Sequence, residues 1–147
     1  MIVRISVLSL LEHQRQIEDK EMDKNIDNLL QALRKSKFRG SFHLNKKMID
    51  YVREKGYEKI EHDARDLIIQ RIKDANPKND GKQTPMRQVH PVFIAQHATG
   101  CCCRGCLLRI HHITKGHPLT TNEIDYIVKV IMKWIEMEMD IYENNEI

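Results

Sequence analysis

The apolar positions of the chain recur with helical spacing over several stretches. In residues 23–34 they are Ile26 and the residues three, four and seven positions after it, Leu29, Leu30 and Leu33. This spacing places them on one face of an α-helix, and residues 57–73 and 120–139 repeat it. No stretch alternates between apolar and polar residues over the length of a strand. The sequence therefore predicts an all-α, compact single domain of five to seven helices.

Residues with strong capping preferences mark the predicted ends of these helices. Asn45 can accept a hydrogen bond from a free N–H of a first helical turn, so a helix is predicted to begin there and to end at Gly56. Pro91 suits the first turn of a short helix, which a further short helix follows. Thr120 and Glu123 have the spacing of a capping box, which predicts the start of the last helix.

The 147 residues of the chain are enough for one domain. We expect it to span residues 23–142, between an N-terminal extension (1–22), whose order the pattern leaves undecided, and a frayed tail (143–147). The apolar run at residues 5–11 lacks a small-residue cleavage site, which argues against a signal peptide. No run approaches the roughly 18–20 apolar residues of a membrane span. A cytoplasmic location with reduced cysteines and no membrane contact is therefore expected.

The net charge of +3 conceals a basic middle segment. Residues 34–92 carry fifteen Lys/Arg and eight Asp/Glu, whereas residues 118–147 carry two and seven. The basic segment can pair with the acidic C-terminal helix or face an anionic partner such as nucleic acid. Side chains that can contact phosphates are Lys35, Lys37, Arg39, Lys46, Lys47, Lys78, Lys82 and Arg87. Because no base-reading motif accompanies them, nucleic-acid binding stands as an alternative function.

A long loop is predicted just before the Cys/His-rich part of the chain, since residues 76–88 contain two prolines and a glycine. Loops of this length without regular structure are uncommon in compact domains and often have a function. Side chains there can contact a ligand beside the cysteines. The candidate ligand-binding residues are Asp80, Lys82, Arg87 and the following His90.

All four cysteines lie within six residues, and five of the eight histidines surround them. In a reducing compartment such clustering favours metal binding or thiol reactivity over disulfides. Cys103 and Cys106 have the spacing that lets two sulfurs face one ion. With His97 upstream and His111 downstream they form a tetrahedral ligand set suited to zinc, and Cys102 is the reserve ligand. The sequence therefore predicts a metal site, with zinc as the expected ion.

Two other interpretations of the cysteines stay open. In the first, residues 102–111 form a helix in which Cys103 and Cys106 share a face with Leu107. The two cysteines are then buried thiols that pack as small hydrophobic side chains. Alternatively, a thiolate favoured by a nearby histidine and by Arg104 and Arg109 can act as the nucleophile or redox group of a thiol-based enzyme. The sequence has no Gly-rich phosphate loop, HExxH or GxSxG motif, so it predicts no particular reaction.

A resemblance to a known family rests on several strings of the sequence, at residues 36–39, 41–44, 77–87, 90–99, 102–107 and 124–128. Together they resemble the uncharacterised microbial domain-of-unknown-function family 4186, over roughly residues 25–136. The resemblance implies no activity. It implies that the family's pattern is matched by His43, His90, His97, Cys102, Cys103, Cys106 and His111. It leaves outside that pattern Cys101, His112 and His117.

Overall fold

The computed structural model describes residues 2–79 and 81–145, with side chains from residue 7 onward. Within these ranges the chain forms six α-helices and one short 3-10 turn (Arg39–Ser41), and no strand. The helices are α1 (Ile2–Arg34), α2 (Lys46–Lys55), α3 (Tyr57–Arg71), α4 (Pro91–Thr99), α5 (Arg104–His111) and α6 (Thr121–Asn145). The prediction of an all-α fold with five to seven helices is confirmed.

Contacts divide the chain into two units, Met1–Ala32 and Leu33–Ile147. The first is formed by α1, on which residues 7–22 are exposed whereas Ile26 and Leu30 are buried. The boundary expected between residues 22 and 23 lies inside this helix, so the domain limits stay a prediction. Among the described residues, no helix combines the length and the apolar content that crossing a bilayer requires.

The core of the second unit lies where α6 packs against α3 and α4, and α2 packs against the same two helices. The stripe that the sequence predicts on the last helix is buried, at Ile124, Ile127, Val128, Ile131, Trp134 and Ile135. All nine residues of α4 are buried, and its polar side chains Gln96, His97 and Thr99 have hydrogen-bond partners there. The cysteine-rich stretch therefore begins at the end of a helix that the core encloses.

Local hydrogen bonds fix the helix ends at the residues that the sequence marks. Asn45 Oδ1 accepts from the N–H of Met48 at 2.9 Å. Thr120 Oγ1 accepts from the N–H of Glu123 at 3.1 Å, and Glu123 Oε1 accepts from the N–H of Thr120 at 2.9 Å. Both predicted caps are confirmed. Gly100 ends α4 with a left-handed φ of 76°, and an added Cβ there would collide with the side chain of Ile110.

Arg104 fixes the start of α5 from inside the protein. Its side chain is 1% exposed, and its guanidinium donates to backbone carbonyls of two separate segments. Nη1 donates to Lys73 O at 3.2 Å and to Asp74 O at 2.8 Å, just beyond the end of α3. Nη2 donates to Thr114 O at 3.0 Å and to His117 O at 2.9 Å. Because carbonyls at a helix end lack helical partners, one buried cation satisfies them and joins three segments.

Glu138 of α6 fixes a second segment, which carries the 3-10 turn. Its carboxylate is 5% exposed and accepts from Arg34 Nη1 at 3.2 Å. The same carboxylate accepts from the N–H of Leu44 at 3.0 Å. Both ends of residues 34–44 are thus held by one buried carboxylate. The turn at Arg39–Ser41, which packs against α4, lies between these two anchors.

Replacing Arg104 with lysine is expected to lower the free energy of unfolding of the metal-free protein by about 2–4 kcal/mol. A lysine keeps the charge, but its ammonium cannot reach both groups of carbonyls at once. The measurement is the urea midpoint at constant slope. The matched control is Arg87→Lys, because Arg87 is exposed and should change stability by less than about 0.5 kcal/mol. Equal effects of the two changes would contradict the anchoring role of Arg104.

Candidate metal centre

Three cysteine sulfurs meet in one small space between α4 and α5. The sulfurs of Cys102, Cys103 and Cys106 all lie within 4.8 Å of one another. The chain bends at residues 102 and 103, so two adjacent side chains reach the same place instead of pointing to opposite sides. Cys103 is the N-cap of α5, and its sulfur accepts from the N–H of Cys106 at 3.4 Å. The first turn of α5 therefore brings the third sulfur to the other two.

Polar contacts hold the backbone of this stretch in place. Thr84 Oγ1, in the loop before α4, donates to Cys102 O at 2.7 Å. Gln96 Nε2, on α4, donates to Cys101 O at 3.1 Å. Both side chains are buried, so these bonds are shielded from water. The cysteine bend is thus held by groups on two other segments.

Two guanidinium groups contact the sulfurs. Arg39, from the 3-10 turn, donates through Nη2 to Cys106 Sγ at 3.2 Å and lies with Nη1 3.7 Å from Cys102 Sγ. The same Nη1 donates to His97 O at 2.7 Å, which orients the guanidinium. Arg109 donates through Nη2 to Cys106 Sγ at 3.3 Å. The three sulfurs are therefore close to one another and are also in contact with two positively charged side chains.

The three thiols differ in their tendency to ionise. Burial raises the pKa of Cys102 to about 12 and also raises the pKa of Cys103. Burial acts in the same direction on Cys106, but hydrogen bonds from Cys103, Arg39, Cys102 and Arg109 outweigh it and lower its pKa to about 7. Without a metal, the cluster favours one thiolate at Cys106, because a first negative charge opposes a second one nearby.

Cys101 lies outside this cluster although it is next in sequence. It is fully buried, and burial raises its pKa to about 12. Its sulfur lies 3.5 Å from His111 Nε2 and 4.0 Å from Thr99 O. It offers a neutral thiol in the same stretch of chain, which makes it the natural control for the other three.

The structure brings together only some of the predicted ligands. Cys103, Cys106 and the reserve ligand Cys102 form the cluster, but neither predicted histidine is in this group of ligand atoms. His97 Nε2 lies 3.0 Å from Thr84 O and therefore acts as a donor. His111 Nε2 donates to Thr99 O at 2.7 Å, and Nδ1 lies 2.9 Å from the hydroxyl of Tyr126. The ring nitrogens of both histidines are thus engaged in hydrogen bonds with backbone or side-chain groups. Metal ligation by these histidines stays a prediction.

The predicted ligand-binding residues are also dispersed. Asp80 lies outside the described residues. Lys82 is exposed and lines a depression beside α3, and Arg87 is exposed. His90 caps α4, since its Nδ1 accepts from the N–H of Val92 at 3.1 Å, while Nε2 donates to Asp63 Oδ2 at 3.2 Å. Burial lowers the pKa of His90, so its ring serves the fold as a neutral group.

Sequence reasoning did not place Arg39 at the cysteines. In the sequence Arg39 belongs to the basic residues that can contact phosphate, and it lies more than sixty positions from Cys102. Of the two arginines expected beside the thiols, Arg109 contacts Cys106, whereas Arg104 binds carbonyls instead. The sequence signal for Arg39 is that residues 36–39 are one of the strings that resemble the family.

The chain matches one family over well over half of its length. The profile described as Domain of unknown function (DUF4186) covers residues 27–136. The chain belongs to DUF4186. The matched range includes all three cysteines of the cluster and both arginines that contact them, so these residues lie in the part that defines DUF4186 membership. No solved structure matches the chain.

In the metal-free, reduced DUF4186 protein, one thiolate is expected to form as the pH rises through about 7, the pKa of Cys106. The thiolate absorbance in the ultraviolet should rise in this range, and Cys106→Ser should remove that rise. Arg39→Gln should move it to higher pH, because a neutral amide favours the thiolate less than a guanidinium does. A rise that Cys101→Ser removes instead would contradict the assignment.

Proposed function

We propose that this protein is a zinc-binding protein whose ion is held by the thiolates of Cys102, Cys103 and Cys106. The observation that carries the proposal is the approach of three cysteine sulfurs to within 4.8 Å of one another. Thiolates are soft donors that select zinc and similar ions over magnesium or calcium. Three buried thiols that serve only as packing have no need to converge on a common point.

The spacing of the sulfurs suits a tetrahedral ion after a small adjustment. Zinc–sulfur bonds of about 2.3 Å at tetrahedral angles require sulfur–sulfur separations of roughly 3.8 Å. The upper limit of 4.8 Å in this cluster therefore leaves no more than about 1 Å of contraction per pair. Rotation of the cysteine side chains can supply it while the backbone bonds to Thr84 and Gln96 stay in place.

The charges around the cluster also suit a metal–thiolate centre. Three thiolates and one divalent cation carry a net charge of −1, which is costly to bury without compensation. Arg39 and Arg109 supply positive charge in direct contact with the sulfurs. Burial acts to lower the pKa of Arg39, but its hydrogen bonds to Cys106 and Cys102 outweigh this and raise it, so the guanidinium stays charged.

The fourth coordination position is proposed to be open. Among the described residues, no further Cys, His, Asp or Glu ligand atom belongs to the group that the three sulfurs form. Three protein ligands with a fourth position for water or for a bound molecule are typical of reactive rather than purely structural zinc sites. A histidine ligand in that position would require His97 or His111 to give up its present hydrogen bonds.

A reactive thiol at Cys106 is the second candidate function, favoured by its contacts with two guanidinium groups. In this reading the Cys106 thiolate attacks a disulfide substrate, forming a mixed disulfide and releasing one substrate thiolate. The thiol of Cys103 then loses its proton and attacks Cys106 Sγ, releasing the second substrate thiol. The substrate disulfide is reduced, and the Cys103–Cys106 pair is oxidised to a disulfide.

The zinc content of tag-free protein, purified without chelator under reducing conditions, tests the first proposal. We expect about one equivalent of zinc in the unchanged protein, as a three-thiolate site requires. Cys102→Ser, Cys103→Ser and Cys106→Ser should each reduce it strongly, whereas Cys101→Ser should retain it. Cobalt substitution should give sulfur-to-metal charge-transfer absorbance that weakens in the three variants alone.

Two results would reject the three-thiolate site. Protein without bound metal, which also fails to bind added zinc, would leave the reactive thiol as the better function. Loss of zinc in Cys101→Ser, in a variant that still unfolds cooperatively, would place the ion elsewhere. His97→Gln and His111→Gln determine the fourth position, since a variant that keeps the protein folded but loses zinc identifies a histidine ligand.

Arg39→Gln is expected to weaken zinc binding about tenfold, because groups that hydrogen-bond to metal ligands typically contribute this much to affinity. The matched control is Lys37→Gln, which removes the same charge from an exposed position two residues away. Competition with a chromophoric chelator measures both affinities at fixed pH and salt. Equal weakening in the two variants would mean that general charge, and not the contact with the sulfurs, is responsible.

A further inference from the structure

A polar depression lies where α3 ends and the following loop begins. Its volume is about 400 Å³, in the range of small-molecule sites. The side chains that give it its chemical character are Arg71, Asp74, Lys78, Asn79, Lys82 and Gln83. They come from the last turn of α3 and from one loop, and none of them contacts a cysteine sulfur in the structure as described.

Positive charge dominates this depression. Among the residues that the structure describes, Arg71, Lys78 and Lys82 line it together with a single carboxylate, that of Asp74. Within the described ranges, none of the three cations forms an ion pair with a carboxylate. A concave surface with an excess of unpaired cations concentrates anions, and the low-dielectric wall behind it strengthens the attraction.

Two walls of the depression are held before any ligand arrives. Arg71 donates through Nη1 to Gln83 O at 3.1 Å, and its guanidinium lies over the ring of Phe93 at 5.0 Å. Gln83 is 5% exposed, and its Oε1 accepts from the N–H of Gly81 at 2.9 Å. The arginine and the adjoining backbone thus lose little freedom when they bind an anion.

We propose that this depression binds the phosphate monoester group of a small hydroxyl-bearing molecule, such as a sugar phosphate. A phosphate dianion can offer three oxygens and two negative charges to Arg71, Lys78 and Lys82, whereas a carboxylate offers two oxygens and one charge and matches the three cations less well. Asp74 would repel a second anionic group, but it can accept from a hydroxyl on the same molecule. The ligand is therefore a phosphate that carries a hydrogen-bond donor nearby.

Calorimetric titration of the full chain with ribose 5-phosphate, inorganic phosphate and ribose tests this proposal. We expect ribose 5-phosphate to bind more tightly than inorganic phosphate, and ribose alone to show no binding. The double variant Lys78→Gln/Lys82→Gln should weaken the binding of both phosphate ligands about tenfold, since each exposed charge pair contributes up to about fivefold in affinity. Asp74→Ala removes the acceptor, so it should abolish the advantage of ribose 5-phosphate and leave inorganic phosphate at least as well bound.

The matched control is Lys47→Gln/Lys55→Gln, which makes the same change in net charge on α2. If this control weakens binding as much as the loop variant does, general basicity is responsible and the site is refuted. Absence of binding by both phosphate ligands at millimolar concentration would refute it too. A single-stranded oligonucleotide that binds with a steep salt dependence, while ribose 5-phosphate does not bind, would assign the basic surface to nucleic acid instead.

Discussion

The cysteine cluster depends on the guanidinium of Arg104, which is buried and shared between two sets of carbonyls. A cation without partners in the interior is strongly unfavourable, so this side chain is stable only where oxygens surround it. The carbonyls beyond α3 are available because that helix ends there, and those of residues 114–117 are available because they lie in a loop. Cys103 immediately precedes Arg104 in the chain. The position of the Cys103 side chain therefore depends on where the guanidinium of Arg104 meets its carbonyl partners.

A second buried charge places the cation that faces the sulfurs. Glu138 holds Arg34 and Leu44, on either side of the segment that carries Arg39. Since both ends are fixed, the guanidinium of Arg39 reaches His97 O and the sulfurs with little conformational freedom left to lose. The site thus rests on two buried ions whose partners come from distant parts of the sequence.

The separation in sequence between interacting residues explains how much of the protein could be predicted from its sequence. The caps at Asn45 and Thr120 are local, because both partners lie within three residues, and both were predicted correctly. The stripe on α6 is also local, since helical spacing alone defines it. The convergence of Cys103 with Cys106 follows from one helical turn. The sequence therefore predicts the helices and two of the three clustered sulfurs.

The remaining features depend on partners that spacing does not reveal. The ring of His111 meets the hydroxyl of Tyr126 on α6, and that of His97 meets carbonyls of the loop before α4. An imidazole near cysteines in sequence therefore does not necessarily join the cluster that their sulfurs form. Arg39 shows the converse, because a residue of a remote basic segment lies in contact with two sulfurs. Side-chain direction is a tertiary property in both cases.

The cluster can accept a divalent ion without a change in its net charge. In the metal-free cluster, two guanidiniums contact one thiolate, while two further thiols remain protonated because burial raises their pKa. A divalent ion displaces those two protons, so three thiolates and the ion together carry the same charge of −1 as the single thiolate, and the guanidiniums match both states. Because Arg39 is positioned by Glu138 beforehand, this match costs little reorganisation when the ion binds.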